Sequence, residues 1–274
     1  MVEKLSGIAH VVCVASGKGG VGKSTTAVNL ALALHRRGQR VGLLDADIYG
    51  PSQPLMLGVT TGTRPRIIDQ KYMEPIRAHG IESNSMGYLV DPTTPMVWRA
   101  PMIVGAFNQI LKDTRWSALD YLIVDMPPGT GDIQLSLSQS VPISGAVIVT
   151  TPQDVALMDA RKGIEMFRKV RVPLLGVVEN MSIHICSQCG HAEAIFGEGG
   201  GQQLSENYGI DVIGSLPLDL SIREHTDRGT PIVVAQPDGA VAGAYLALAD
   251  NVMARIAALE TQDVTVPHIT ISDD

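Results

Sequence analysis

Residues 17 to 24 read Gly-Lys-Gly-Gly-Val-Gly-Lys-Ser and follow the pattern G-x-x-x-x-G-K-[ST]. Gly17, Gly19, Gly20 and Gly22 let the backbone turn so that successive N–H groups, that of Val21 among them, point inward at phosphate oxygens. A helix opening at Lys23 adds about half a positive charge at its N-terminus. Lys23 is expected to neutralise the β and γ phosphates of a nucleotide, and the Ser24 hydroxyl to ligate Mg²⁺, with Thr25 completing the binding stretch. The bland alternative is a glycine-rich turn with a coincidental lysine. Against it stand VVCVAS before the loop and STTAVNLALAL after it, which supply the strand and helix this motif requires. The motif predicts a nucleotide hydrolase, first of all an ATPase.

Two acidic segments sit where phosphoryl transfer needs them. VGLLD ends in Asp45-Ala46-Asp47, and YLIVD ends in Asp125 followed by Met-Pro-Pro-Gly-Thr-Gly-Asp132. In open α/β sheets the C-terminal ends of strands form the ligand-facing edge, so these acids are expected to meet the glycine-rich loop. Asp125 is the candidate acid holding Mg²⁺ through water, and Asp47 the candidate for orienting the attacking water. The competing reading makes Asp45, Asp47 and Asp125 caps of strands and loops, with Asp45 the least assigned of the three.

Cys186-Ser-Gln-Cys189 carries two of the three cysteines. Their spacing lets both thiolates approach one metal centre. Two thiolates are half of what a 4Fe-4S cluster or a tetrahedral zinc ion demands, and no second C-x-x-C exists in the sequence. The other half is expected from a second subunit, since a two-fold axis would bring two such loops together. Three readings compete: zinc within one chain by His184, Cys186, Cys189 and His191; a redox dithiol; and reduced surface cysteines without a ligand. Cys13, inside an apolar run, reads as a small buried hydrophobe.

These residues need a scaffold that lines up strand ends. Continuous apolar, β-branched runs recur at 10–15, 40–44, 121–124, 145–150, 174–178 and 212–216, with helical periodicity at 23–37, 102–111, 155–170 and 241–259. Strands without polar alternation are covered on both faces, which predicts a doubly wound, mainly parallel α/β sheet with helices on both faces. The last helix places Val241, Tyr245, Leu248, Val252 and Ile256 on one stripe, expected to dock on the core. Its rival role as a membrane-surface anchor has only Arg255 as a cation on the polar face. Residues 58–95 lack a period and are expected to hold irregular chain with short edge strands.

The 274 residues suit one α/β domain with its core at about 8–260 and a tail at about 261–274. Hydrophobic residues at 45% against 18% charged describe a globular chain. A formal charge of −7 exerts no general pull on nucleic acid or acidic lipid, and no apolar run approaches the ~20 residues of a membrane helix. Neither partner is expected.

The second lysine of GKGGVGKST, Lys18, resembles the deviant Walker A loop of the MinD/Mrp/nitrogenase-iron-protein class. Within that class, LLDADIYGPSQP, MGYLV, VWRAPM, DYLIVDMPPGTGD, TTPQDVALMDARKG, VENMS, CSQCG and IFGEGG make the sequence similar to Mrp/ApbC-type iron-sulfur carriers from about residue 10 to about 250. The resemblance implies an ATP-dependent homodimer in which Lys18 reaches the partner's nucleotide. It implies a labile 4Fe-4S cluster bridged by Cys186 and Cys189, delivered to apo-proteins. It also implies Asn180 and Asp219 near the adenine. The N-terminal cysteine cluster of cytosolic scaffold relatives is not in this sequence, which favours a carrier. The expected compartment is the cytoplasm, or the mitochondrial matrix if a presequence has been trimmed. A MinD/ParA-like positioning or partition ATPase shares the loop but needs no C-x-x-C, and a dimeric ATPase with structural zinc remains open.

Overall fold

The computed structural model describes residues 5–89, 99–186 and 188–263. Parts of MGYLV and VWRAPM, and all of the tail beyond 263, lie outside the described residues. In chain order the elements are β1 (Ile8–Ala15), α1 (Lys23–Arg36), β2 (Val41–Asp45), a one-turn α2 (Gln53–Met56), β3 (Ile67–Ile68), β4 (Tyr72–Met73), β5 (Ile76–Ala78) and β6 (Ile81–Ser85). There follow α3 (Ala100–Lys112), β7 (Leu119–Asp125), α4 (Asp132–Ser140), β8 (Gly145–Thr150), α5 (Asp154–Lys169) and β9 (Leu174–Glu179). The chain then forms β10 (His184–Ile185), β11 (Ala192–Glu193), α6 (Gly200–Tyr208), β12 (Val212–Ser215), α7 (Leu220–Asp227), α8 (Ile232–Ala235) and α9 (Ala240–Asp263).

Eight strands form one sheet in the order β12-β9-β8-β1-β7-β2-β6-β5, parallel throughout except for β5 at the edge. The six apolar runs of the sequence are six of these strands. Their alternate side chains enter two cores: Val12, Val14, Leu43 and Ile123 face α1 and α9, while Cys13, Leu44, Val124 and Ile148 face α3, α4 and α5. Both faces are thereby dry, which is why the runs show no polar alternation. At roughly 1.5–3 kcal/mol for each buried Val, Leu or Ile, this two-sided burial dominates the stability of the sheet.

The sequence gives no apolar signal for β6, Ile-Glu-Ser-Asn-Ser, yet every residue of it is buried and it pairs with β2 inside the sheet. Burial of so polar a strand requires that its side chains find partners. Ser83 Oγ donates to the Ile76 carbonyl at 3.0 Å, Asn84 Nδ2 to Thr114 Oγ1 at 2.6 Å, and Ser85 Oγ to Asp45 at 3.0 Å. Glu82 is held by Arg77 at 2.8 Å and by the Ser117 backbone at 2.9 Å. Within 58–89 the expectation of irregular chain with short strands holds for β3, β4 and the edge strand β5, and it is corrected at β6, which is a polar interior strand.

Helix α9 is long and apolar enough, by length and composition, to cross a membrane, which corrects the expectation that no stretch is. Its stripe of Ala242, Tyr245, Leu248, Val252 and Ile256 is buried in the core shared with α1, as the periodicity predicts; Val241 is only partly buried against it.

Candidate functional site

The crossover from β1 to α1 is the glycine-rich loop, and two of its glycines are there for stated geometric reasons. Gly22 has φ 84°, in the left-handed region, and a Cβ there would lie 2.1 Å from the Asn180 side chain. A Cβ on Gly17 would lie 2.1 Å from the Asp159 backbone of α5. The loop is thus clamped between α5 and the end of β9. Asn180 Nδ2 donates to the Val21 carbonyl at 2.8 Å, and the Ser16 carbonyl accepts from the Gly129 N–H at 3.0 Å.

Parallel register brings the acids alongside. Val14 of β1 lies opposite Asp125 of β7, and Asp45 of β2 lies opposite Asp125. Asp45 and Asp125 are both 0% exposed and Lys23 only 6%, so their charges must satisfy one another. Lys23 Nζ stands 2.5 Å from Asp125 Oδ1 and donates to Ser24 Oγ at 3.1 Å. Asp45 accepts from the Asp47 N–H at 3.1 Å, the Gln53 N–H at 3.2 Å and Ser85 Oγ at 3.0 Å. Burial, and next the neighbouring charge of Asp125, push the Asp45 carboxyl up to about 7. Burial likewise raises the partly exposed Asp47, which accepts from the Gly50 N–H at 3.3 Å.

The loop, Ser24, Asp47 and Asp125 therefore lie on one sheet edge, as the sequence predicts. Lys18 lies half-buried beside Gly19 and Gly20, which are exposed, and its carbonyl accepts from Ser16 Oγ at 2.8 Å. The Thr25 carbonyl accepts from Asn29 at 2.9 Å. Asp219 differs: its carboxylate caps α7, accepting from the Ser221 N–H at 2.7 Å and Ser221 Oγ at 2.5 Å, and bonds to nothing in the loop among the described residues. Sequence reasoning missed Gln53, which donates from Nε2 to Asp125 Oδ2 at 2.7 Å and to the Ser24 carbonyl at 3.0 Å. A glutamine between Ser52 and Pro54 offers no local pattern by which to find it. For a divalent cation, Ser24 Oγ and the Asp125 carboxylate are hard oxygen donors of the kind Mg²⁺ takes, so the residues present fit that ion.

The cysteines follow β9 on the same edge. Beyond Asn180 the chain keeps pairing with the segment after β12: Ser182 N–H donates to the Leu216 carbonyl at 3.0 Å and Leu218 N–H to the Ile183 carbonyl at 2.8 Å. β10 and β11 then close a hairpin whose tip carries the pair, with Cys186 N–H donating to the His191 carbonyl and Gly190 N–H to the Cys186 carbonyl, both at 2.9 Å. Cys186 is half-exposed and Cys189 exposed. The Cys189 and Gln188 backbone N–H groups and the Cys189 thiol hold the Cys186 thiol below its ordinary value. His184 Nδ1 lies 3.0 Å from the Leu218 carbonyl, turned toward the sheet edge. Among the described residues no three His, Cys, Asp or Glu side chains converge on a metal position, so the single-chain zinc arrangement is not assembled.

Comparison with known proteins bears on the same two features. The family described as ParA, NUBPL iron-transfer P-loop NTPase, matches residues 7–253. An iron-sulfur cluster carrier protein of Pseudomonas fragi is 63% identical over 248 residues, 90% of this chain and 86% of that one. The iron-sulfur cluster transfer protein NUBPL of Mus musculus is 54% identical over 256 residues, 93% of this chain and 80% of that one. Among solved structures, the nucleotide-binding protein of Archaeoglobus fulgidus in complex with ADP superposes with a TM-score of 0.75 at 36% identity, covering 86% of this chain and 91% of that one.

Proposed function

From the premise that the chain belongs to the NUBPL iron-transfer P-loop NTPase family, we propose that it is an ATP-hydrolysing carrier that holds a labile 4Fe-4S cluster between two subunits and delivers it to apo-proteins. One observation carries this reading. An exposed hairpin bearing two free cysteines hangs from the sheet edge that bears the nucleotide loop, and Asn180, six residues before Cys186, bonds to that loop. Two thiolates leave a cluster half-ligated, so a second copy must supply the rest. Exposed apolar side chains on this edge, Val155, Met158, Ile183, Ile185 and Leu220, give that copy a contact surface.

In the proposed cycle Lys23 leaves Asp125 for the β and γ phosphates of ATP. Ser24 Oγ and, through water, Asp125 would hold Mg²⁺, whose positive charge would offset that of the phosphates. Asp47 orients water for attack on the γ phosphorus; the bond to the β–γ bridging oxygen breaks, giving ADP and phosphate. Lys18 reaches from the partner to the developing charge, so that hydrolysis depends on the dimer. Gly17 to Thr25 cradle the phosphates, and Asn180 and Asp219 border the adenine. Ordering of 45–54 and 125–132 by nucleotide alters the dimer contact and so the grip on the cluster. The chain works as one domain spanning about 8–260, in the cytoplasm, or in the mitochondrial matrix if a presequence has been trimmed.

A cluster-loaded protein mixed anaerobically with the apo form of a 4Fe-4S hydro-lyase should restore that enzyme's activity. A Cys189→Ala variant should not. Restoration by the variant to the wild-type level would contradict the carrier reading, and zinc as the only metal bound would move the account to a dimeric ATPase with a structural site.

A further inference from the structure

Gln53 is the first residue of α2 and is 1% exposed. Its amide orientation is fixed by chemistry: Nε2 faces two acceptors, the Asp125 carboxylate at 2.7 Å and the Ser24 carbonyl at 3.0 Å, and an oxygen there would be repelled by both. Its Oε1 is buried and has no partner among the described residues. A buried amide oxygen left unbonded costs about 1–3 kcal/mol, so its position calls for a ligand.

The surroundings name the ligand. The amide spans the backbone of Ser24 and the carboxylate of Asp125, the two residues assigned to Mg²⁺. Asp125 has one oxygen on Lys23 and the other on Gln53. When Lys23 moves to the phosphates its oxygen is released, whereas Gln53 can stay and fix the carboxylate's orientation. The backbone N–H of Gln53 is meanwhile tied to Asp45, which anchors α2 to the end of β2.

We infer that Gln53 is a positioning residue of the magnesium site: Nε2 orients Asp125 toward the ion, and Oε1 accepts a hydrogen bond from water bound to it. The inference rests on the proposed Mg²⁺-nucleotide site and adds a residue to it. Partners that orient metal ligands typically contribute 10–100-fold to metal affinity. It also links the ion to the 45–54 segment, since losing the ion leaves Oε1 unbonded again.

The test compares Gln53→Met, close in size and without polar atoms, with Gln53→Glu, which keeps the acceptor and discards the donor. The probe is N-methylanthraniloyl-ADP, whose dissociation rate is followed against Mg²⁺ concentration, with thermal melting of the nucleotide-free proteins as the folding control. In Gln53→Met the Mg²⁺ concentration needed to slow release should rise about tenfold or more, with Mg²⁺-free release unchanged. In Gln53→Glu, which keeps the acceptor but loses the donor to Asp125, the Mg²⁺ requirement should rise less than in Gln53→Met, while the nucleotide-free melting temperature falls because a third carboxylate faces Asp125 and Asp45. Unchanged Mg²⁺ dependence in Gln53→Met overturns the inference. So does an equal rise in both variants, or a loss of Mg²⁺-free binding, which would make Gln53 a structural prop. If wild type itself binds no N-methylanthraniloyl-ADP, or releases it at a rate Mg²⁺ does not alter, the proposed nucleotide site fails and the inference with it.

Discussion

Replacing Lys23 with alanine removes a cation that faces two buried carboxylates. At 2.5 Å the Lys23–Asp125 attraction is about 7 kcal/mol gross for an effective dielectric near 20. Dehydration of both groups offsets part of that, and breaking buried pairs on one side costs about 3–5 kcal/mol. A domain of this size has roughly 5–15 kcal/mol in hand, so the nucleotide-free Lys23→Ala protein should remain folded but unfold at lower urea. Most of the loss comes from stranding Asp125. The Lys23→Ala, Asp125→Asn double variant should therefore recover at least half of it while remaining unable to turn over ATP. Urea unfolding followed by circular dichroism gives the stabilities, and phosphate release gives turnover, expected to fall at least about 100-fold in both variants. A double variant no more stable than the single one would refute the stranded-charge reasoning. Unchanged turnover in Lys23→Ala would refute the phosphate-loop assignment.

Gly22→Ala should cost about 1–3 kcal/mol and abolish nucleotide binding, because an alanine at φ 84° is strained and its methyl meets the Asn180 amide at 2.1 Å; calorimetric ADP titration checks this, and wild-type affinity would contradict the clamp between Gly22 and Asn180. The raised Asp45 sets a pH slope. Its folded value of about 7 lies above the ordinary 3.8, so the folded state binds the extra proton between them, and nucleotide-free stability should fall as pH rises from 5 toward 7 and level off above. Asp45→Asn should flatten that slope in melting curves, and an equally steep slope in the variant would assign it to another group. Cys186→Ala should leave ADP affinity within about twofold of wild type, since among the described residues the Cys186 thiol bonds within its own hairpin, to Cys189 and the Gln188 backbone, and not to the loop.

The sheet edge that carries the glycine-rich loop and the acids is legible because its signals are local and specific. A loop of eight residues fixes its own backbone, and apolar runs ending in Asp45 and Asp125 place those acids through strand register alone. The spacing of the cysteine pair marks it as a candidate metal site, and its half-complete ligand count points beyond one chain. Other features depend on contacts distant in sequence. β6 hides behind polar residues because its partners, Thr114 and Ser117, lie 30 and 35 positions away. Gln53 is defined by bonds to Ser24 and Asp125, which only the assembled β1, β2 and β7 bring together. The resemblance implies Asn180 and Asp219 near the adenine; in the structure Asn180 bonds to the Val21 carbonyl and Asp219 caps α7.

The central claim is a cluster shared between two copies of this chain. Anaerobic reconstitution of wild type and Cys186→Ala, with iron and sulfide quantified per dimer and the visible spectrum recorded, tests it most directly. About four iron and four sulfide per wild-type dimer, held by four thiolates, are expected, with their loss in the variant. A variant dimer that retains a full cluster, or a wild type that takes up zinc alone, would contradict it.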